Sequence, residues 1–170
     1  MDITEMILTQ HHEQRRTFAL LDEVAPHDAA TLTAIWSRLK VLLEVHAEAE
    51  EKFFYPRLLK VGKGGGSAGS AADETLDAIK DHNDIRDAIR EVGSHKPGTD
   101  AWWQAVVRAR QANSDHMAEE EREDLADFRR QVDLQVRHDI AVEFVRYESD
   151  NAAGIRPSND PPQEYVDKNS

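Results

Sequence analysis

Residues 39–53 read LKVLLEVHAEAEEKF. Leu39, Leu42, His46, Ala49 and Phe53 advance by 3 and 4 in alternation, which is the spacing of a buried helical seam. An imidazole therefore sits among apolar side chains, and Glu50 follows it one turn (~3.6 residues) later on the same side. The arrangement returns at 116–120, HMAEE, where His116 and Glu120 share a face with Trp102, Val106, Ala109 and Ala112. A third seam, Ala78, His82, Ile85, Ile89 and Val92, carries one histidine. A fourth, with Ile7, Leu8, Phe18, Leu21 and Val24, carries His12 or its neighbour His11. Four helices that each turn a histidine inward predict an all-α protein, an antiparallel four-helix bundle with polar side chains converging in its core.

Outward from these seams, the first helix is expected over about 3–25, ended by Pro26, which cannot continue the backbone ladder. The second spans about 29–60. Gly62–Ser70 comes next, GKGGGSAGS. It lacks the Gly-x-x-x-x-Gly-Lys-Ser/Thr of a phosphate-cradling loop between strand and helix, and reads as a flexible connector. The third helix, about 72–93, stops at Gly93 and Pro97-Gly98, and Thr99 or Asp100 caps a fourth over about 100–131. An additional helix, about 133–148, carries Val136, Ile140 and Phe144 as a stripe able to cover one end of the bundle. Residues 1–150 thus form the helical bundle. Residues 151–170, with Pro157, Pro161 and Pro162 among polar neighbours, are expected to be a disordered tail. No stretch alternates apolar and polar residues as a strand does.

Composition narrows the function. A net charge of -12 over 170 residues argues against nucleic acid and against an anionic membrane surface, both of which select clustered Lys and Arg. No apolar run approaches the ~20 residues of a membrane span. The N-terminus lacks the basic and apolar regions of a secretion signal, so a cytoplasmic protein is expected. With no cysteine there is neither thiol catalysis nor an iron–sulfur cluster.

One buried histidine is ordinarily a hydrogen-bonded core residue. Four, with two glutamates at the middles of four helices, would be costly to bury without a cation. The predicted metal ligands are His12 or its neighbour His11, which lies nearer the apolar stripe, with His46, Glu50, His82, His116 and Glu120. Imidazole and carboxylate without thiolate suit iron first, with manganese or zinc behind it. Six ligands exceed the four of a tetrahedral zinc site but fit two ions, each with two histidines, bridged by Glu50 and Glu120 and by an oxo or hydroxo group. The halves also repeat, with 34 residues from His12 to His46 and again from His82 to His116. Ferritin-like bundles use Glu-x-x-His instead, and that spacing does not occur in register here.

The stretches ILTQHHEQRRTF, HAEAEEKFFYP, DHNDIRDAI and HMAEEE, in this order, resemble the four helix motifs of the hemerythrin-like, HHE cation-binding family. The resemblance covers about residues 5–130 and is closest in style to actinobacterial members. It implies a four-helix bundle with a non-haem di-iron centre. It also selects His12 over His11, because family ligands follow an apolar pair four and five residues back, here Leu8 and Ile7. Oxygen carriers of the family have His-x-x-x-His on the third helix, whereas Arg86 stands one turn after His82. Their fourth helix carries a more widely spaced Asp in place of His-x-x-x-Glu. These departures point away from reversible oxygen carriage.

Arg86 is expected to pair with a carboxylate rather than to steady an anion. Tyr55, next to Pro56, would reach the metals only if the helix kinks there. Glu51 and Glu119 are expected to face solvent or to orient a ligand histidine. His27, His95 and His138 are expected at the surface. The function read from all this is a di-iron protein reacting with oxygen species, with catalase-like disproportionation of hydrogen peroxide placed first. The alternative is a module that binds or senses O2, nitric oxide or iron without turnover. Partners are then small molecules, and the chain a monomer or weak dimer.

Overall fold

A computed structural model describes residues 1–65 and 69–170. It contains α1 (Ile3–Asp22), α2 (Ala29–Ala49), a π-helical turn (Glu50–Phe54), α3 (Tyr55–Val61), α4 (Ala71–Gly93), α5 (Asp100–Arg122), α6 (Asp124–Gln131), α7 (Leu134–Asp150) and α8 (Pro162–Asn169). The described residues form no strand, and the chain is an all-α bundle. No helix among them is long and apolar enough to cross a membrane.

The helices start where side chains can satisfy their free N–H groups. Asp2 accepts from the Thr4 N–H at 3.0 Å, Asp28 from Thr31 at 3.1 Å and Asp133 from Val136 at 3.1 Å. Thr99, rather than Asp100, caps α5, accepting from Trp102 at 3.3 Å. Ser70 and Asp73 close the start of α4 reciprocally.

Two apolar clusters fill the bundle. One gathers Phe18, Leu21, Trp36, Leu39, Ile85, Ile89, Trp102 and Val106. The other gathers Ile3, Ile7, Phe54, Leu58, Ile79, Phe128, Ile140 and Phe144. Along α1 the order is Ile3 and Ile7, then buried His11 and Gln14, then Phe18 and Leu21. Along α4, His82 and Arg86 are likewise buried between Ala78–Ile79 and Ile89–Val92. A polar layer thus lies between two dry ones.

The second helix is not continuous. Pro56 has no N–H, so it cannot close an ordinary turn, and the chain takes i→i+5 bonding through Glu50–Phe54, with the Tyr55 N–H donating to the Glu50 carbonyl. The extra residue in that turn rotates the side chains beyond it about the helix axis. Phe54 and Tyr55 become fully buried, while Phe53, expected in the seam, is only half-buried. In the i→i+5 pattern Pro56 would serve the Glu51 carbonyl, and the Tyr165 hydroxyl donates to that oxygen instead.

That contact corrects the expectation of a disordered tail. Residues 162–169 form α8, which begins with proline at its first turn and packs on α4 with Tyr165 and Val166 buried. The polar composition of 151–170 hid two apolar anchors on one short face. The glycine-rich connector is also held on its described side. Asp127 accepts from the Lys63 and Gly64 N–H groups at 2.6 and 3.0 Å, and Glu74 accepts from Gly65 at 2.5 Å. Residues 66–68 of that predicted flexible stretch lie outside the described residues. The fourth helix breaks at Glu123 rather than running to 131, and α6 takes over from there. In α7 the buried stripe is Ile140, Ala141 and Phe144, and Val136 is exposed.

Candidate metal centre

Four helices and the π-helical turn bring His11, His46, Glu50, His82, His116 and Glu120 together, each with at most 4% of its surface exposed. His12 is exposed and lies outside the cluster. The apolar stripe Ile7, Phe18 and Leu21 fixes which of the two faces inward, and it lies on His11's side. The 34-residue repeat points to His12, whereas the neighbour buried in the cluster is His11, so the inward spacing in the first half is one residue longer. His11→Ala should therefore abolish metal retention, and His12→Ala should leave it unchanged, read by metal content after gel filtration. Equal loss in the two variants would contradict this geometry.

The inward atoms fall into two groups that share a carboxylate. Ligand atoms of His11, His46 and Glu50 lie within 4.8 Å of one another, as do those of Glu50, His82 and His116. The His46 Nε2 is 2.9 Å from Glu50 Oε1, and the His82 Nε2 is 3.3 Å from Glu50 Oε2. The two Nε2 atoms of His82 and His116 stand 3.0 Å apart. Glu120 brings Oε2 to 3.2 Å from the His11 Nε2.

Five of these buried atoms have no hydrogen-bond partner: the Nε2 of His11 and of His46, both oxygens of Glu50, and Glu120 Oε2. Buried polar atoms are nearly always paired, and leaving one unpaired costs about 1–3 kcal/mol. Convergent but unaligned nitrogen and oxygen donors are what a borderline divalent or trivalent cation fits.

The outward side of each imidazole is held as well. His11 Nδ1 meets Glu121 at 2.9 Å, His82 Nδ1 meets Glu51 at 2.8 Å, and His116 Nδ1 lies 3.7 Å from Asp81. His46 Nδ1 meets Gln10 Oε1 at 2.6 Å, and the Gln10 amide is oriented by donating to Glu148 at 2.8 Å. A carboxylate or amide oxygen on Nδ1 places the proton there and directs the Nε2 lone pair inward, as in metal-ligating histidines. These holders run round the bundle. The α5 residue Glu121 holds His11 on α1, and the α1 residue Gln10 holds His46 on α2. Glu51, just after α2, holds His82 on α4, and the α4 residue Asp81 faces His116 on α5.

Electrostatics reflect this crowding. Burial alone would lower the His11 and His82 pKa values, but contacts with Glu120 and Glu121, and with Glu50 and Glu51, hold both up at about 9. Burial would raise Glu50, yet His46 and His82 keep it well below the ordinary carboxylate range. Tyr55 does reach the cluster, through the π-helical turn. Its hydroxyl donates to Glu120 Oε1 at 2.9 Å, and burial together with the Glu120 and Asp124 charges keeps the phenol protonated.

Arg86 pairs with Glu51 at 2.8 Å, as expected from its position, and is 1% exposed. Glu51 is buried and orients His82, whereas Glu119 is exposed beside Arg122. His27 is exposed and His95 half-exposed, and His138 sits at the surface against the N-terminal amine. Gln10, Asp81, Glu121 and Glu148 were not singled out from sequence, although the first three each adjoin an inward ligand.

A cavity of about 210 Å³ opens on one side, lined by Asp73, Glu74, Asp77, Asp81, Glu123 and Asp124 at its walls and by His116 and Glu120 at its inner end. On the other side Phe144 covers His46, with ring centroids 6.1 Å apart.

The family model for the hemerythrin HHE cation-binding domain matches residues 2–127. No curated protein and no solved structure matches the chain.

Proposed function

The chain belongs to the hemerythrin HHE cation-binding family, and on that premise we propose that its cluster holds two iron ions. His11 and His46 would serve one ion, His82 and His116 the other, with Glu50 shared and Glu120 beside it; manganese or zinc ranks behind iron. The observation that carries the reading is the meeting of both ligand triads at Glu50. Two irons, when bound, supply the two-electron oxidation and reduction by which two hydrogen peroxide molecules give two waters and O2.

The protein's own part is to hold and exclude. Glu121, Gln10 and Glu51 hold three of the imidazoles, and Asp81 faces the fourth across 3.7 Å. Tyr55 donates to one oxygen of Glu120 and so turns the other inward. Apolar layers flank the cluster on both sides, and a cavity ends at His116 and Glu120.

Capture of O2 or nitric oxide, or sensing of iron, without turnover is the second reading. One observation favours it: the cavity reaches only His116 and Glu120 of the cluster, so the two proposed ions would not be equally accessible. Iron-loaded protein should contain two irons per chain and release O2 from hydrogen peroxide at an oxygen electrode. It should form no long-lived oxygenated spectrum. A stable spectrum reversible on degassing, with no O2 released from peroxide, would establish the second reading. One metal per chain would remove the two-ion assignment.

A further inference from the structure

The cavity between α4 and the α5–α6 junction is more acidic than access for a neutral or anionic small molecule requires. Asp73, Asp77 and Glu119 are exposed toward its mouth, and Glu74, Glu123 and Asp124 are buried deeper. Arg122 lies 3.1 Å from Glu123 and supplies local positive charge. Glu74 supplies the decisive observation. It is 3% exposed and its Oε1 accepts the Gly65 N–H, but its Oε2 is buried without a hydrogen-bond partner in the cavity wall. At the inner end Glu120 turns its Oε2 toward the His11 Nε2, 3.2 Å away without a hydrogen bond.

We propose that this cavity is the route by which a divalent cation reaches the histidine–glutamate cluster, with Glu74 as a transit ligand on the way. The inference rests on the cation-binding reading of the cluster and adds the path and its residue. A cleft lined by charges of one sign with low-dielectric walls concentrates ions of the opposite sign and speeds their capture. The same field repels superoxide and other anions. Burial and the neighbouring carboxylates Asp127 and Glu123 push the Glu74 carboxyl up to about 7, outweighing the Gly65 N–H, so its charge is poorly compensated until a cation arrives. Glu74 stands about two turns before His82 on α4 and belongs to neither ligand triad, so it can pass a cation on without competing for it at the end point.

Metal-free full-length protein is mixed anaerobically with Co2+, and the visible ligand-field bands are followed by stopped flow. Glu74→Gln keeps the acceptor for Gly65 and removes the charge. It should slow uptake on the order of fivefold, a modest share of what a charged cleft contributes, while the final spectrum and stoichiometry stay those of the parent. Raising the salt concentration should slow the parent more than the variant. Asp150→Asn, which removes an exposed charge on α7 away from the cavity, should leave the rate unchanged. By microscopic reversibility, release of Co2+ from loaded protein to a chelator too large for the cavity should slow by the same factor. That measurement serves if the metal-free chain loses its fold. Equal rates for parent and Glu74→Gln, or a matching slowdown in Asp150→Asn, would overturn the transit route. So would a fall in final stoichiometry. Failure of the parent itself to bind Co2+ or Fe2+ would instead refute the reading of the cluster.

Discussion

Glu50→Ala should erase the metal-dependent part of the protein's stability. Each oxygen of Glu50 approaches a different histidine, and both candidate triads contain it, so truncation would remove a donor from each of the two proposed ions at once. A ligand that binds only the folded chain adds about 2.7 kcal/mol at a hundredfold excess over its Kd. For a chain of this size that corresponds to about 5–10 °C in Tm. The parent should melt higher by that amount with iron than after chelation, and Glu50→Ala should melt at one temperature under both conditions. Glu120→Ala should lose less, because one of its oxygens is already engaged by Tyr55. Retention of two irons by Glu50→Ala would refute the shared-ligand assignment.

Arg86→Ala is expected to give the largest loss of stability without reference to metal. The guanidinium is 1% exposed and lies 2.8 Å from a carboxylate that is itself buried and tied to His82. Removing one partner of a buried pair strands the other and costs about 3–5 kcal/mol, on the order of 10 °C in Tm here. Two neutral residues of similar volume can replace such a pair at little cost. Combining Arg86→Met with Glu51→Gln should therefore recover most of the loss. Thermal melts of chelated protein test both. A shift under about 2 °C for Arg86→Ala would mean that Glu51 finds another partner.

Periodicity alone carried the bundle and five of the six cluster residues, because a histidine replacing leucine in a 3-and-4 seam has only one direction in which to point. It did not choose between His11 and His12. There the apolar face and the internal repeat disagreed, and packing of Ile7, Phe18 and Leu21 prevailed. The π-helical turn was invisible to a 3.6-residue template, although Pro56 marked its place. It is what carries Tyr55 to Glu120. The tail misled for a different reason. Prolines and polar residues dominate its composition, and its order rests on one hydroxyl and two buried side chains that no average over twenty residues displays. Of the residues behind the histidines only Glu51 was marked in the sequence; Gln10, Asp81 and Glu121 were not, since each faces a histidine on a different helix from its own.

That last arrangement bears on how the chain acquires its centre. The hairpin of α1 and α2 contains His11 and His46 but can orient only His46, because the holder of His11 comes from α5. The hairpin of α4 and α5 contains His82 and His116 but lacks the holder of His82, which lies just beyond α2; Asp81 faces His116 at 3.7 Å. Neither half of a partly synthesised or partly folded chain presents two aligned imidazoles. On the proposed assignment, a half-built bundle would hold metal poorly until both hairpins have docked.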